Sequence, residues 1–206
     1  MQIIMIRHGM TVGNLQNRYI GSTDEALCPE GIQALSTGLE EKRYPVADVI
    51  YASPLQRCVE TAEMLYPDRE IRLVDEFREC SFGIFENRNY EELKEVAAYQ
   101  QWLNSGGEAA FPGGEAKTDF VCRCEAGMNR LVREWRREPE KWHNKRIAFI
   151  VHGGTIMALL SVFDSGRKSY YEYQVKNGEG YVCEAVLSES FILTVTDQIM
   201  LGGDRY

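Results

Sequence analysis

A chain of 206 residues with 44% apolar content has room for one domain with a modest insertion and a sizeable core, which excludes wholesale disorder. Its net charge of -8 argues against a broad nucleic-acid surface or a face for anionic membranes. A small anionic substrate stays open, because a few arginines in a cleft set the local field.

The first element is a short buried strand over residues 2–6, Ile3-Ile4-Met5-Ile6 at its heart, which delivers Arg7-His8-Gly9 to a sheet edge. No basic leader precedes it, so the start does not read as a signal peptide. Pro29 to about Tyr44 reads as a helix with Ile32, Leu35 and Leu39 on one stripe. Asp48 to Tyr51 is a second strand. Ser53-Pro54 then reads as an N-cap with proline in the first turn, opening a helix that carries Arg57 and runs to about Tyr66. Ile71 to Val74 is a third strand. Tyr90 to Asn104 looks helical, and the glycine-rich breaks after it make residues 83–115 an insertion above the sheet. Thr118 to about Arg137 is a long helix whose Phe120, Cys124, Met128, Leu131 and Trp135 recur at core spacing. Ile147 to Val151 is apolar without alternation, as in a strand covered on both faces. His152-Gly153-Gly154 leads into a helix over Thr155–Phe163, and Tyr181–Leu187 with Phe191–Thr196 form a late hairpin.

Strand–helix alternation predicts an α/β fold in three layers: a mostly parallel sheet, helices on both faces, and the hairpin as an antiparallel edge. Residues 1–206 then make a single domain with a cap-like insertion. The apolar runs are far short of the roughly 18 residues a membrane span needs. Six cysteines without a Cys-x-x-Cys pair read as reduced thiols in a cytoplasmic protein. Cys122 and Cys124, two apart on a helix, point to different faces. His143 sits in a polar connection and faces solvent.

In an open α/β sheet ligands bind beyond the carboxyl ends of the strands. Arg7-His8, Ser53 to Arg57 and His152 each follow a strand, so three distant motifs converge on one cleft. The combination suits phosphoryl transfer. An imidazole is a nitrogen nucleophile that is readily neutral near pH 7. Guanidinium groups fork onto phosphoryl oxygens, and glycines at a helix N-terminus let the backbone approach an anion. No ligand cluster has metal-binding spacing, and the pattern calls for no cofactor.

This ordered set resembles the histidine phosphatase superfamily, which includes the cofactor-dependent phosphoglycerate mutases. The resemblance covers roughly residues 3–165. It implies that His8 is transiently phosphorylated and that Arg7, Arg57, Asn14, His152 and Gly153 hold phosphate. Arg78-Glu79-Cys80-Ser81-Phe82-Gly83 matches the family's acid motif and makes Glu79 the acid, with Asp75, Glu76 and Glu86 as competing carboxylates. Three positions depart from the family pattern: Met10 stands where glutamate is common, Asn87 where glycine is common, and Cys28 where threonine is common. The first two bear on specificity; Cys28, a poor cap, bears on stability.

The implied function is a metal-independent phosphomonoesterase acting on a small soluble phosphate ester, with no nucleic-acid or membrane partner, as a monomer or a homodimer. The 102–115 stretch is similar to the bacterial phosphatase branch, α-ribazole-phosphate phosphatases in particular. A phosphoglycerate mutase and a catalytically silent phosphate-binding or scaffold member are the competing readings.

Overall fold

The computed structural model describes residues 1–202. Six strands form one sheet: β1 (Gln2–Arg7), β2 (Val49–Ala52), β3 (Ile71–Leu73), β4 (Arg146–Val151), β5 (Gly180–Leu187) and β6 (Phe191–Ile199). Their order is β3-β2-β4-β1-β5-β6. The first four run parallel; β5 is antiparallel to β1, and β6 antiparallel to β5. The sheet is therefore mixed, with the late hairpin as its antiparallel edge.

Successive side chains of β1 point to opposite faces. Ile3 and Met5 join a core with α6 (Lys117–Arg137) and α8 (Gly153–Phe163). Ile4 and Ile6 join a second core with Leu35 of α2 (Pro29–Glu40) and Cys58 and Ala62 of α3 (Gln56–Leu65). Helices thus cover both faces, which is why β1 is apolar over Ile3–Ile6 and β4 over Ile147–Val151. The stripe from Phe120 to Trp135 on α6 is fully buried, as its spacing requires. Cys124 is buried and Cys122 exposed; His143 is exposed. Among the described residues no helix is long and apolar enough to cross a membrane.

Several sequence expectations need correction. Helix α2 stops at Glu40, four residues early, because Lys42 turns left-handed (φ 55) and Arg43 N–H reaches back to Gly38 O at 2.9 Å. Its buried stripe is Gly31, Leu35 and Gly38, while Ile32 and Leu39 are 44% and 37% exposed. Close packing sets that face: a Cβ at Gly31 would stand 2.3 Å from Met10 O. Ser53 does not cap α3. The helix starts at Gln56, with Leu55 at the N-cap. The 90–104 segment is two helices, α4 (Tyr90–Leu93) and α5 (Ala97–Asn104). Cys28 does cap α2, its sulfur accepting from Gly31 N at 3.3 Å.

Between β3 and α6 the chain makes short turns, then departs from the sheet and returns to one place. Glu115 N donates to Ser81 O at 2.9 Å and Ile84 N to Pro112 O at 3.0 Å. The stretch between has its own core of Phe85, Leu93 and Tyr99, flanked by Tyr19, Phe82, Trp102 and Phe111.

Candidate active site

The sheet register sets the site. Arg7 pairs with Val151, and Ala52 with Ile150, so His8, Ser53 and His152 leave their strands at one level. His8 and His152 are buried, their rings 5.1 Å apart edge to face. Each is the residue directly past a strand's last pair, where the chain turns toward a loop or helix.

His8 Nδ1 lies 2.7 Å from Gly9 O. A carbonyl oxygen only accepts, so Nδ1 carries the hydrogen and Nε2 keeps its lone pair. Burial first, and then the charges of Arg57 and Arg7, hold the His8 imidazole well below its ordinary value of 6.5. His152 is lowered in the same direction by burial, then by Arg57, His8 and Arg7. Its Nε2 meets Ser53 Oγ at 2.8 Å, and Cys58 Sγ at 3.5 Å packs against the ring. Ser53 Oγ also accepts from Leu55 N at 3.4 Å, in the turn that precedes α3.

Arg57 is fully buried; two of its nitrogens donate to Thr23 O and Gly21 O, each at 2.8 Å. Arg7 is half-buried and donates to Val175 O at 2.8 Å. The Nε of each arginine is buried without a partner among the described residues. Two orphaned guanidinium N–H groups, side by side with two neutral imidazoles, mark a place built for an anion. Gly153 lies flat under Arg7: a Cβ there would be 3.4 Å from Arg7 Nε.

Glu79 accepts from its own neighbour's Cys80 N at 2.9 Å and from Gly154 N at 3.1 Å. Burial pushes its carboxyl up, against the pull of those two N–H groups and of Arg57 and Arg7. Gly154 makes the approach possible, since a Cβ there would stand 2.2 Å from Glu79 Oε1. Arg123 carries the backbone beneath, donating to Glu76 O at 2.8 Å and Arg78 O at 3.0 Å.

The competing carboxylates are engaged elsewhere. Asp75 pairs with Arg78 at 2.6 Å and Glu76 with Arg130 at 2.8 Å. Glu86 accepts from the backbone N–H groups of Gly21, Ser22, Thr23 and Phe82 at 2.8–3.3 Å. It thereby holds the loop whose carbonyls hold Arg57. Sequence reading missed Glu86 in this role, along with Ser53 and Asn177.

A cavity of about 370 Å³ opens over the site. Arg7, Asn14, Glu79, Gly153 and Gly154 form part of its wall, and Tyr19, Phe82, Trp102, Phe111, Tyr170 and Tyr171 another part. His8, Arg57 and His152 lie behind that wall, 4%, 0% and 0% exposed. Met10 and Asn87 do not contribute to it. Asn87 instead adopts a left-handed φ of 54, which accounts for glycine being usual there.

The chain is 29% identical over 168 residues to the adenosylcobalamin/alpha-ribazole phosphatase of Escherichia coli (strain K12), covering 78% of each chain. It is 29% identical over 167 residues to the phosphatase PhoE of Bacillus subtilis (strain 168), covering 80% of this chain and 78% of the other. The fold of the alpha-ribazole phosphatase from Shigella flexneri superposes with a TM-score of 0.78 over 100% of both chains, at 24% identity. Residues 3–197 match the family model of the histidine phosphatase superfamily, branch 1. By that match the chain belongs to the histidine phosphatase superfamily, as a phosphate-ester hydrolase on a branch close to the adenosylcobalamin/alpha-ribazole phosphatases.

Proposed function

We propose that the protein hydrolyses a small soluble phosphate monoester through a phosphohistidine on His8, without a metal. The observation that carries this reading is the His8 Nδ1 to Gly9 O hydrogen bond of 2.7 Å, which leaves Nε2 as the lone-pair nitrogen. Nε2 attacks phosphorus, and the P–O bond to the leaving group breaks. Glu79 gives its proton to the departing oxygen. Its carboxylate then takes a proton from water, whose oxygen attacks the phosphohistidine and frees His8. Arg7, Arg57, Asn14, His152 and the Gly153 N–H hold the phosphoryl oxygens throughout.

Residues 83–115 act as a cap that selects the leaving group, on a chain folded as one domain. The aromatic side chains in the cavity wall suit a flat, apolar leaving group. α-Ribazole 5'-phosphate, a benzimidazole riboside, fits that chemistry. The mutase reading is disfavoured because phosphoglycerate needs spare cations for its carboxylate. Beyond Arg7, the cavity's cations are Arg18 and Lys117, and these pair with Glu92 and Glu108. The six cysteines are free thiols, in keeping with a cytoplasmic enzyme.

The test is hydrolysis of p-nitrophenyl phosphate and α-ribazole 5'-phosphate in EDTA, by wild type and His8→Ala. Wild type turns over both and His8→Ala neither. Activity that needs added metal, or isomerisation of 3-phosphoglycerate faster than either hydrolysis, overturns the reading.

A further inference from the structure

Asn177 lies in the turn entering β5, outside every motif of the sequence. That turn is bonded to the backbone of the Arg7-His8 segment. Arg7 N donates to Glu179 O at 2.9 Å, and Gly178 N to Arg7 O at 3.0 Å and His8 O at 3.2 Å. Gly178 takes a left-handed φ of 77, and a Cβ there would stand 2.5 Å from Leu201 Cδ1. The turn therefore has little freedom, and Asn177 is presented at a fixed place.

Asn177 Nδ2 donates to His8 O at 3.1 Å and to Asn14 Oδ1 at 3.1 Å, with Gly9 O at 3.5 Å. An amide nitrogen has two hydrogens, and the two shorter contacts take them. Asn14 Oδ1 also accepts from Thr11 N at 3.1 Å. Two donors on one oxygen fix the orientation of the Asn14 amide. Turned over, its NH2 would face two N–H groups. The Asn14 NH2 thus keeps both hydrogens, with no partner among the described residues, on the wall of the substrate cavity. Asn177 is not on that wall.

We propose that Asn177 is a positioning residue: it locks the Asn14 amide with its NH2 presented to the phosphoryl oxygens. The inference rests on the phosphate reading of this site. It assigns Asn177 an effect on phosphate binding that passes through the Asn14 amide, while its bond to His8 O braces the backbone there.

The test measures inorganic phosphate binding by calorimetry, together with kcat and KM for p-nitrophenyl phosphate. The proteins are wild type, Asn14→Ala, Asn177→Ala, Asn177→Asp and the double alanine variant. Asn177→Ala should weaken phosphate binding and raise KM by about tenfold, with a smaller change in kcat. Asn177→Asp should be worse, because a carboxylate only accepts and turns the Asn14 amide over. In the double variant, phosphate binding should match Asn14→Ala to within about twofold, since the partner is already gone. Unchanged binding in Asn177→Ala, or penalties that multiply in the double variant, would overturn the assignment. So would loss of the fold in both Asn177→Ala and Asn177→Asp, which would place Asn177 in the scaffold. Phosphate binding needs no turnover, so a wild type that binds phosphate but hydrolyses nothing condemns the hydrolytic reading and leaves this test standing.

Discussion

The proposed chemistry depends on two residues that folding shifts in opposite directions. His8 must be neutral, and burial beside two arginines lowers its value well below 6.5. Glu79 must be protonated to act as an acid, and burial raises its value above 4.5. The pH profile of kcat should therefore rise on an acid limb set by His8 and fall on an alkaline limb set by Glu79. Glu79→Gln should abolish the alkaline limb. It should also cost an alkyl phosphate about 10² to 10⁴ in rate while sparing p-nitrophenyl phosphate, whose leaving group needs little help. Equal losses on both esters would remove Glu79 from the acid role. Stability has its own pH dependence. The unfolded chain takes up protons on its histidines below about 6.5 before the folded chain does, so the contribution of neutral His8 and His152 is full above that pH and is lost as pH falls. Glu79 contributes the other way: its share is present below about 4.5 and is lost as pH rises through its folded value. His8, Arg7, Arg57 and His152 were legible in the sequence because each follows or shortly trails an apolar strand. Asn177 was not, because it reaches the site through a turn whose bonding only the folded chain defines.

Among elements, the loop Gly21–Thr23 is the least expected contributor. It supplies the carbonyls for Arg57 and is itself held by Glu86, through three backbone N–H groups and the hydroxyls of Ser22 and Thr23, while Phe82 N–H donates to the same carboxylate. Burial pushes the Glu86 carboxyl up, and these bonds more than reverse it, leaving it below the ordinary value. Glu86→Ala should cost about 2–3 kcal/mol in urea unfolding, because the donors lose their acceptor. It should also lower kcat/KM about tenfold through a loosened Arg57. Loss of stability with unchanged kcat/KM would break the proposed link between the two. A carboxylate that caps a loop looks in sequence like a candidate acid, which is why Glu86 stood beside Glu79 there. The elements with strong periodicity, α6 and β4, were read to within a residue or two. Helix α2 was not, because its packing face is made by glycines, which carry no hydrophobic signal. Ser53-Pro54 was misread for a different reason: Leu55 is still extended (φ -71, ψ 139), so the helix begins at Gln56, two residues after Pro54.

At the scale of the molecule, the parallel half of the sheet gathers residues 7, 8, 57 and 152 into one cleft, and Phe82, Trp102 and Phe111 from the chain between β3 and α6 line the cavity beside it. A protein of net charge -8 thus keeps a buried, positively charged recess whose arginine Nε groups have no partner among the described residues. The central claim is that phosphate passes through that recess on the nitrogen of His8, not of His152. The most direct measurement is to quench the enzyme during turnover of a radiolabelled phosphate ester and map the label by peptide mass. An acid-labile, base-stable phosphoryl group on the peptide carrying His8, absent from His8→Ala, is the result this account predicts. Label on His152, label on a carboxylate, or full turnover in His8→Ala would contradict it.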